Sequence, residues 1–132
     1  MPSWKPVLIM PEIGILLVSH VREIGDGVLR LLKEVAGDVT IKAAAGTEDN
    51  GVGTSFDRIN EAVTSFEEPR IWAFYDLGSA KMNLDLVSET TDKNLEIQNV
   101  SFVEGAYVAA AMLQANASEA SINSELKPLK IK

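Results

Sequence analysis

The chain reads as an α/β protein: a doubly wound, mainly parallel four-stranded sheet with helices on both faces. Three observations predict it. Short, continuous apolar runs recur along the sequence, the pattern of strands buried on both faces. Between them, apolar residues return at helical spacing. The two patterns alternate, which implies βαβ units rather than hairpins.

Each element follows in order. Residues 1–12 read as an irregular arm, interrupted by Pro2, Pro6 and Pro11, and residues 13–132 as one domain. Residues 14–19 (GILLVS) form a first strand, ended by His20. Ile24, Val28, Leu31, Leu32 and Val35 then share a helical face, with Gly37 at its end. Residues 39–44 form a second strand. A loop from Gly46 to Gly53 follows, with an Asn50-Gly51 turn signal. Thr54 and Ser55 both suit a helix cap, and Asp57 suits its first turn. Phe56, Ile59, Val63 and Phe66 give that helix its apolar face. Residues 71–75 form a third strand, ending at Asp76. Gly78-Ser79 open a helix carrying Met82, Leu86 and Val87, with Met82 expected in the core. Residues 95–100 alternate and read as a fourth, less buried strand. A helix over 103–115 is rich in alanine, and Ser118 caps a last helix that stops before Pro128.

Composition excludes several functions. The chain has 132 residues, suited to one domain. Its net charge of −7 repels a phosphate backbone and favours partner proteins with basic surfaces over nucleic acid. No cysteine is present, which excludes a disulfide scaffold, a thiolate metal site and a cysteine nucleophile. A single histidine excludes a multi-histidine zinc site, so no metal is expected. No apolar run approaches the length of a bilayer span. The run Val7-Leu8-Ile9-Met10 is cut by Pro11 and is too short for a signal-peptide core. The expected location is the cytoplasm, without membrane contact. There is no Walker A sequence, and Phe56 stands where a dinucleotide fingerprint needs its third glycine, so no cofactor is expected.

Open α/β sheets place their site outside the carboxyl ends of the strands, near a switch in strand order. Three segments fall there: Ser19-His20, Gly53-Thr54-Ser55 and Asp76-Leu77-Gly78-Ser79. Helix starts carry free N–H groups and a dipole that favour an anion. Imidazole is a competent nucleophile near neutral pH. An aspartate at a nearby strand end, Asp76, can accept its Nδ1–H, present Nε2 and stabilise a positive ring. Blander readings exist for each residue. A lone histidine is commonly a surface or capping residue. Asp76, Thr54 and Ser79 can serve as caps, and the glycines as turns. Trp72, Phe74 and Tyr75 read as packing, and Glu48-Asp49 as a solvated loop. A Ser19-His20-Asp76 hydrolase triad fails, because adjacent strand residues point to opposite faces.

Residues 14–20 (GILLVSH), 53–57 (GTSFD), 76–84 (DLGSAKMNL) and 103–107 (VEGAY) together resemble the phosphotransfer subunits of bacterial dihydroxyacetone kinase, DhaM. These have the mannose-class enzyme IIA fold of the phosphoenolpyruvate-dependent phosphotransferase system. The resemblance spans residues 13–127 in order and spacing. It implies that the phosphocarrier HPr, charged from phosphoenolpyruvate by enzyme I, phosphorylates His20. The phosphoryl group then passes to ADP held in the subunit DhaL, and the resulting ATP serves dihydroxyacetone bound in DhaK. Asp76 matches the partner of the imidazole, and Gly53, Thr54, Gly78 and Ser79 match segments that bind or border the phosphoryl group. A homodimer and separate donor proteins are also implied. Residues 1–11 are extra to the family pattern, and Ala45-Gly46 replaces a common Gly-Gly pair.

The resemblance allows an alternative acceptor, a mannose-class sugar permease served by an enzyme IIA component. The wording Asp76-Leu77-Gly78-Ser79-Ala80-Lys81-Met82 favours the kinase branch, since the permease branch carries a Gly-Gly-Ser-Pro turn there. Fold alone also permits a non-catalytic binding module.

Overall fold

The computed structural model describes residues 12–131. The expected arm over residues 1–12 therefore lies, except for the exposed Glu12, outside the described residues. The elements run β1 (Ile13–Ser19), α1 (Arg22–Val35), β2 (Ile41–Ala45), α2 (Phe56–Ser65), β3 (Arg70–Tyr75), α3 (Gly78–Thr90), β4 (Asn94–Gln98), α4 (Phe102–Gln114) and α5 (Glu119–Leu126), then a 3-10 turn, Lys127–Leu129. The sheet has the order β2-β1-β3-β4, and every pairing is parallel.

The order follows from the chain. It leaves β1 for β2 on one side, then crosses back to place β3 on the other side of β1. Right-handed crossovers in opposite directions require helices on opposite faces. Two cores bear this out. Ile15, Leu17, Trp72 and Phe74 pack with Val28 and Leu32 of α1 and with Ala106 and Ala109 of α4. Leu16, Val18, Ala73 and Tyr75 pack with Ile59 and Val63 of α2 and with Ala80 and Leu84 of α3. Alternate strand residues serve opposite faces, so β1 has to be apolar throughout, and it is buried along its whole length.

Several expected boundaries move. The second strand starts at Ile41 rather than 39, although Val39 is buried. The fourth ends at Gln98, because Val100 leaves it to bridge Lys130 in antiparallel fashion. Met82, expected in the core, is exposed. The buried stripe of α3 is Ala80, Leu84 and Val87, and Met82 sits two residues from Ala80, on the opposite side of the helix. Leu86 is exposed for a similar reason, and Ile24 and Leu31 of α1, which flank the buried stripe of Gly25, Val28 and Leu32, are exposed as well. Trp72, Phe74 and Tyr75 are packing residues, nearly inaccessible to solvent.

Gly25 brings α1 down onto the sheet just after His20. A Cβ there would stand 2.6 Å from the Cβ of Ala45, closer than side chains pack. The approach holds the β1–α1 turn tightly against β2.

Candidate functional site

The strand register builds the site. Val18 pairs with Tyr75, so Ser19-His20 and Asp76 leave adjacent strands side by side at the point where strand order reverses. Asp76 N–H donates to Val18 O at 3.1 Å, extending the ladder one step further. Its carboxylate then collects the β1 end. Oδ2 accepts from His20 N–H at 3.0 Å and from the Ser19 hydroxyl at 2.9 Å. Oδ1 lies 2.9 Å from His20 Nδ1 and accepts from Leu77 N–H at 2.8 Å.

These contacts settle the tautomer. A carboxylate can only accept, so Nδ1 must carry the proton. The neutral ring then presents its lone pair at Nε2. The Ser79 hydroxyl lies 2.5 Å from that nitrogen and donates to it when the ring is neutral. Both His20 and Asp76 keep 15% of their side-chain surface exposed, so the ring is held firmly and remains reachable. Burial pushes the Asp76 carboxyl up, but the hydrogen bonds from His20 and Ser19, with the attraction of the imidazole in its protonated form, hold it below its ordinary value. Asp76 thus stays ionised beside the ring, where it offsets any positive charge that the ring acquires.

A second segment closes in from β2. Gly53 N–H donates to the His20 carbonyl at 2.8 Å. Gly53 has φ +140, a conformation that L side chains rarely adopt. Its amide is therefore engaged by the His20 backbone. Thr54 does not cap α2. Ser55 does, accepting Arg58 N–H, and Thr54 Oγ1 instead accepts from Asn83 Nδ2 at 2.8 Å.

The third segment is the start of α3. Leu77 occupies the N-cap with no side-chain cap bond, and no acidic residue stands in the first turn. Gly78 and Ser79 are the first helical residues, so their N–H groups have no intrahelical acceptor. The capping reading of Ser79 gives way to a hydroxyl on Nε2, at the positive end of a helix dipole.

The expected residues thus divide. His20, Asp76 and Ser79 form one hydrogen-bonded array, Gly78 borders it, and Gly53 and Thr54 flank it from the β2 side. The sequence reading placed Ser19 at the site but gave it no role. Its hydroxyl is not on the imidazole, as the alternation argument required, but it is fully buried and anchors Asp76, besides accepting Val21 N–H. A polar residue at the end of an otherwise apolar strand was the available signal. Asn83 was missed, although it lies one turn beyond Ser79. Among the described residues no cluster of three or more metal-ligating side chains occurs, and no helix is long and apolar enough to cross a membrane.

Chemically, the array can hold a neutral imidazole in one orientation, accept an electrophile on Nε2 and stabilise both the cationic ring and an added anion. The chain is similar to known proteins. Residues 14–123 match the family described as PTS system fructose IIA component. A relative from Lactococcus lactis, named as the phosphotransferase subunit DhaM of a PTS-dependent dihydroxyacetone kinase, is 48% identical over 89% of this chain and 96% of its own length. One from Listeria innocua, named as the phosphoryl donor subunit DhaM of PEP-dependent dihydroxyacetone kinase 1, is 44% identical over 90% and 96%. Among solved structures, a protein of unknown function superimposes with a TM-score of 0.80 at 26% identity, over 91% of this chain and 96% of that one. An EIIA component from Streptococcus agalactiae shares the fold at a TM-score of 0.62, with 20% identity over 89% and 92%.

Proposed function

The chain belongs to the PTS fructose IIA component family, alongside the DhaM subunits, and from that premise we propose that residues 13–132 act as one phosphotransfer domain that carries a phosphoryl group on His20. The donor is a phosphorylated carrier of the HPr type. The acceptor is ADP bound in a DhaL subunit, which in turn serves dihydroxyacetone on DhaK. The protein works in the cytoplasm as a homodimer. The observation that carries this reading is the Asp76–His20–Ser79 array, which fixes Nδ1–H inward and leaves Nε2 at the surface.

In the transfer, the Nε2 lone pair attacks phosphorus. The bond between phosphorus and the donor breaks, and its electron pair returns to the donor. The ring becomes cationic, and the ionised Asp76 stabilises it through Nδ1–H. The Ser79 hydroxyl, which donates to Nε2 at rest, turns to a phosphoryl oxygen. The free amides of Gly78 and Ser79 and the dipole of α3 face the same charge. Gly53 holds the His20 backbone, and Thr54 borders the phosphoryl group. Onward transfer runs the same steps in reverse.

Incubation with phosphoenolpyruvate, enzyme I and HPr tests this. One acid-labile, base-stable phosphate on His20 is expected, lost on adding ADP-loaded DhaL. Uptake at the normal rate by His20→Ala overturns the reading. Discharge to a membrane permease rather than DhaL overturns the acceptor alone.

A further inference from the structure

Asn83 Nδ2 donates to Thr54 Oγ1 at 2.8 Å, and this bond ties together the two segments that flank His20. On one side, Thr54 follows Gly53, whose amide holds the His20 carbonyl. On the other, Asn83 stands four residues after Ser79 on α3, so it occupies the next turn of the same helix face. Ser79 Oγ in turn touches Nε2. Thr54 is therefore tied to the histidine backbone through its neighbour Gly53 and, through Asn83, to the helix that carries Ser79.

The polarity of the bond matters more than its presence. A carboxamide nitrogen can only donate, so the Thr54 oxygen accepts and keeps its own hydrogen. Among the described residues no acceptor takes that hydrogen. A threonine hydroxyl without such a neighbour rotates freely and can accept as readily as donate.

We propose that Asn83 is a positioning residue for phosphoryl transfer: by occupying the Thr54 oxygen, it commits the Thr54 hydroxyl to donate to the phosphoryl group on His20. The inference rests on the phosphohistidine reading above. The two hydroxyls at the site then differ in kind. Ser79 must leave Nε2 before it can bind the phosphoryl group. Thr54 has no such contact to break and is set to donate from the outset.

The test uses the whole chain, phosphorylated through enzyme I and HPr, with initial rates at saturating and at limiting HPr. Asn83→Ala should slow the rate several-fold at saturating HPr and leave the KM for HPr nearly unchanged. Asn83→Asp reverses the bond, since a carboxylate accepts the Thr54 hydrogen, and should be slower still, by about tenfold or more relative to wild type. In a Thr54→Val background, Asn83→Ala should add no further loss. Asn83→Asp in that background isolates the effect of its charge. Thermal unfolding of each variant checks that it is folded. If Asn83→Ala does not fold, Thr54→Val against Thr54→Ser carries the test, with Ser recovering most of the rate that Val loses. A wild-type rate for Asn83→Ala overturns the inference, as does an equal loss in the Thr54→Val background or a loss confined to KM. A wild-type chain that takes no phosphate on His20 overturns the phosphohistidine reading as well, so the two failures are distinguishable.

Discussion

Helices α2 and α3 begin at the same edge of the sheet, on either side of His20, and their first turns are built in opposite ways. The α2 start is saturated. Ser55 caps it by accepting Arg58 N–H, the same hydroxyl donates to Glu48 at 2.8 Å, and Asp57 places a carboxylate in the first turn. The α3 start is bare: Leu77 offers no side-chain cap, and no acid stands in its first turn. Each of the other four α-helices has one, in Glu23, Asp57, Glu104 and Glu119. A chain of net charge −7 thus keeps acids out of the first turn of α3, and the one carboxylate just before it, Asp76, is turned to the imidazole and to Leu77 N–H. The α2 terminus is satisfied from within the chain and the α3 terminus is not, which fits a functional position that gives up some stability.

Making α3 resemble α2 gives the largest expected effect. Ser79→Asp puts a carboxylate against Nε2 and removes the hydroxyl. Phosphorylation of His20 should fall by roughly 100-fold or more, with the thermal midpoint kept or raised, since a carboxylate in the first turn favours the helix. A near-normal initial rate by phosphate incorporation would break the comparison. Asp76→Asn should have the next largest effect, slowing transfer by about 10- to 100-fold, as the loss of a partner that orients a ring does. It also carries a pH signature. The native carboxyl is held below its ordinary value. Its contribution to stability is therefore complete above the unfolded carboxylate pKa, near 3.9, about where exposed aspartates titrate, and is lost as pH falls through the lowered native value. The stability gap between wild type and Asp76→Asn, followed by thermal unfolding against pH, should be widest at neutral pH and close on acidification. The smallest effect belongs to α2. Ser55→Ala should cost about 1 kcal/mol of stability in denaturant titration and leave the rate of His20 phosphorylation unchanged. A matching loss of rate would show that the two helix starts are not functionally distinct.

How far the molecule was legible can be argued from particular residues. The strands were visible because burial on both faces forces near-continuous apolar runs, as in β1. Their ends were less so: Val39 is buried yet precedes β2, and Val100 is buried by a bridge to Lys130 from the far end of the chain. Met82 shows the limit of helical periodicity. Its helix carries apolar residues on more than one side, and only packing decides that Ala80, Leu84 and Val87 face the sheet. At the site, a histidine directly after an apolar strand and an aspartate after another were both conspicuous. Ser79 was named for the site but could equally be read as an ordinary cap, because cap and ligand positions draw on the same small polar residues.

The sequence by itself determined the alternation of strands and helices, the place of the single histidine, His20, directly after an apolar strand, and the lack of any cysteine. These depend on local pattern and residue type, which need no partner to be read. Only the tertiary structure decided that β1 and β3 are neighbours, that Ser19 anchors Asp76, and that Asn83 reaches Thr54. Each of these is a contact between residues separated by 29 to 57 positions along the chain. Such contacts are set by strand order and register, and no local pattern encodes them.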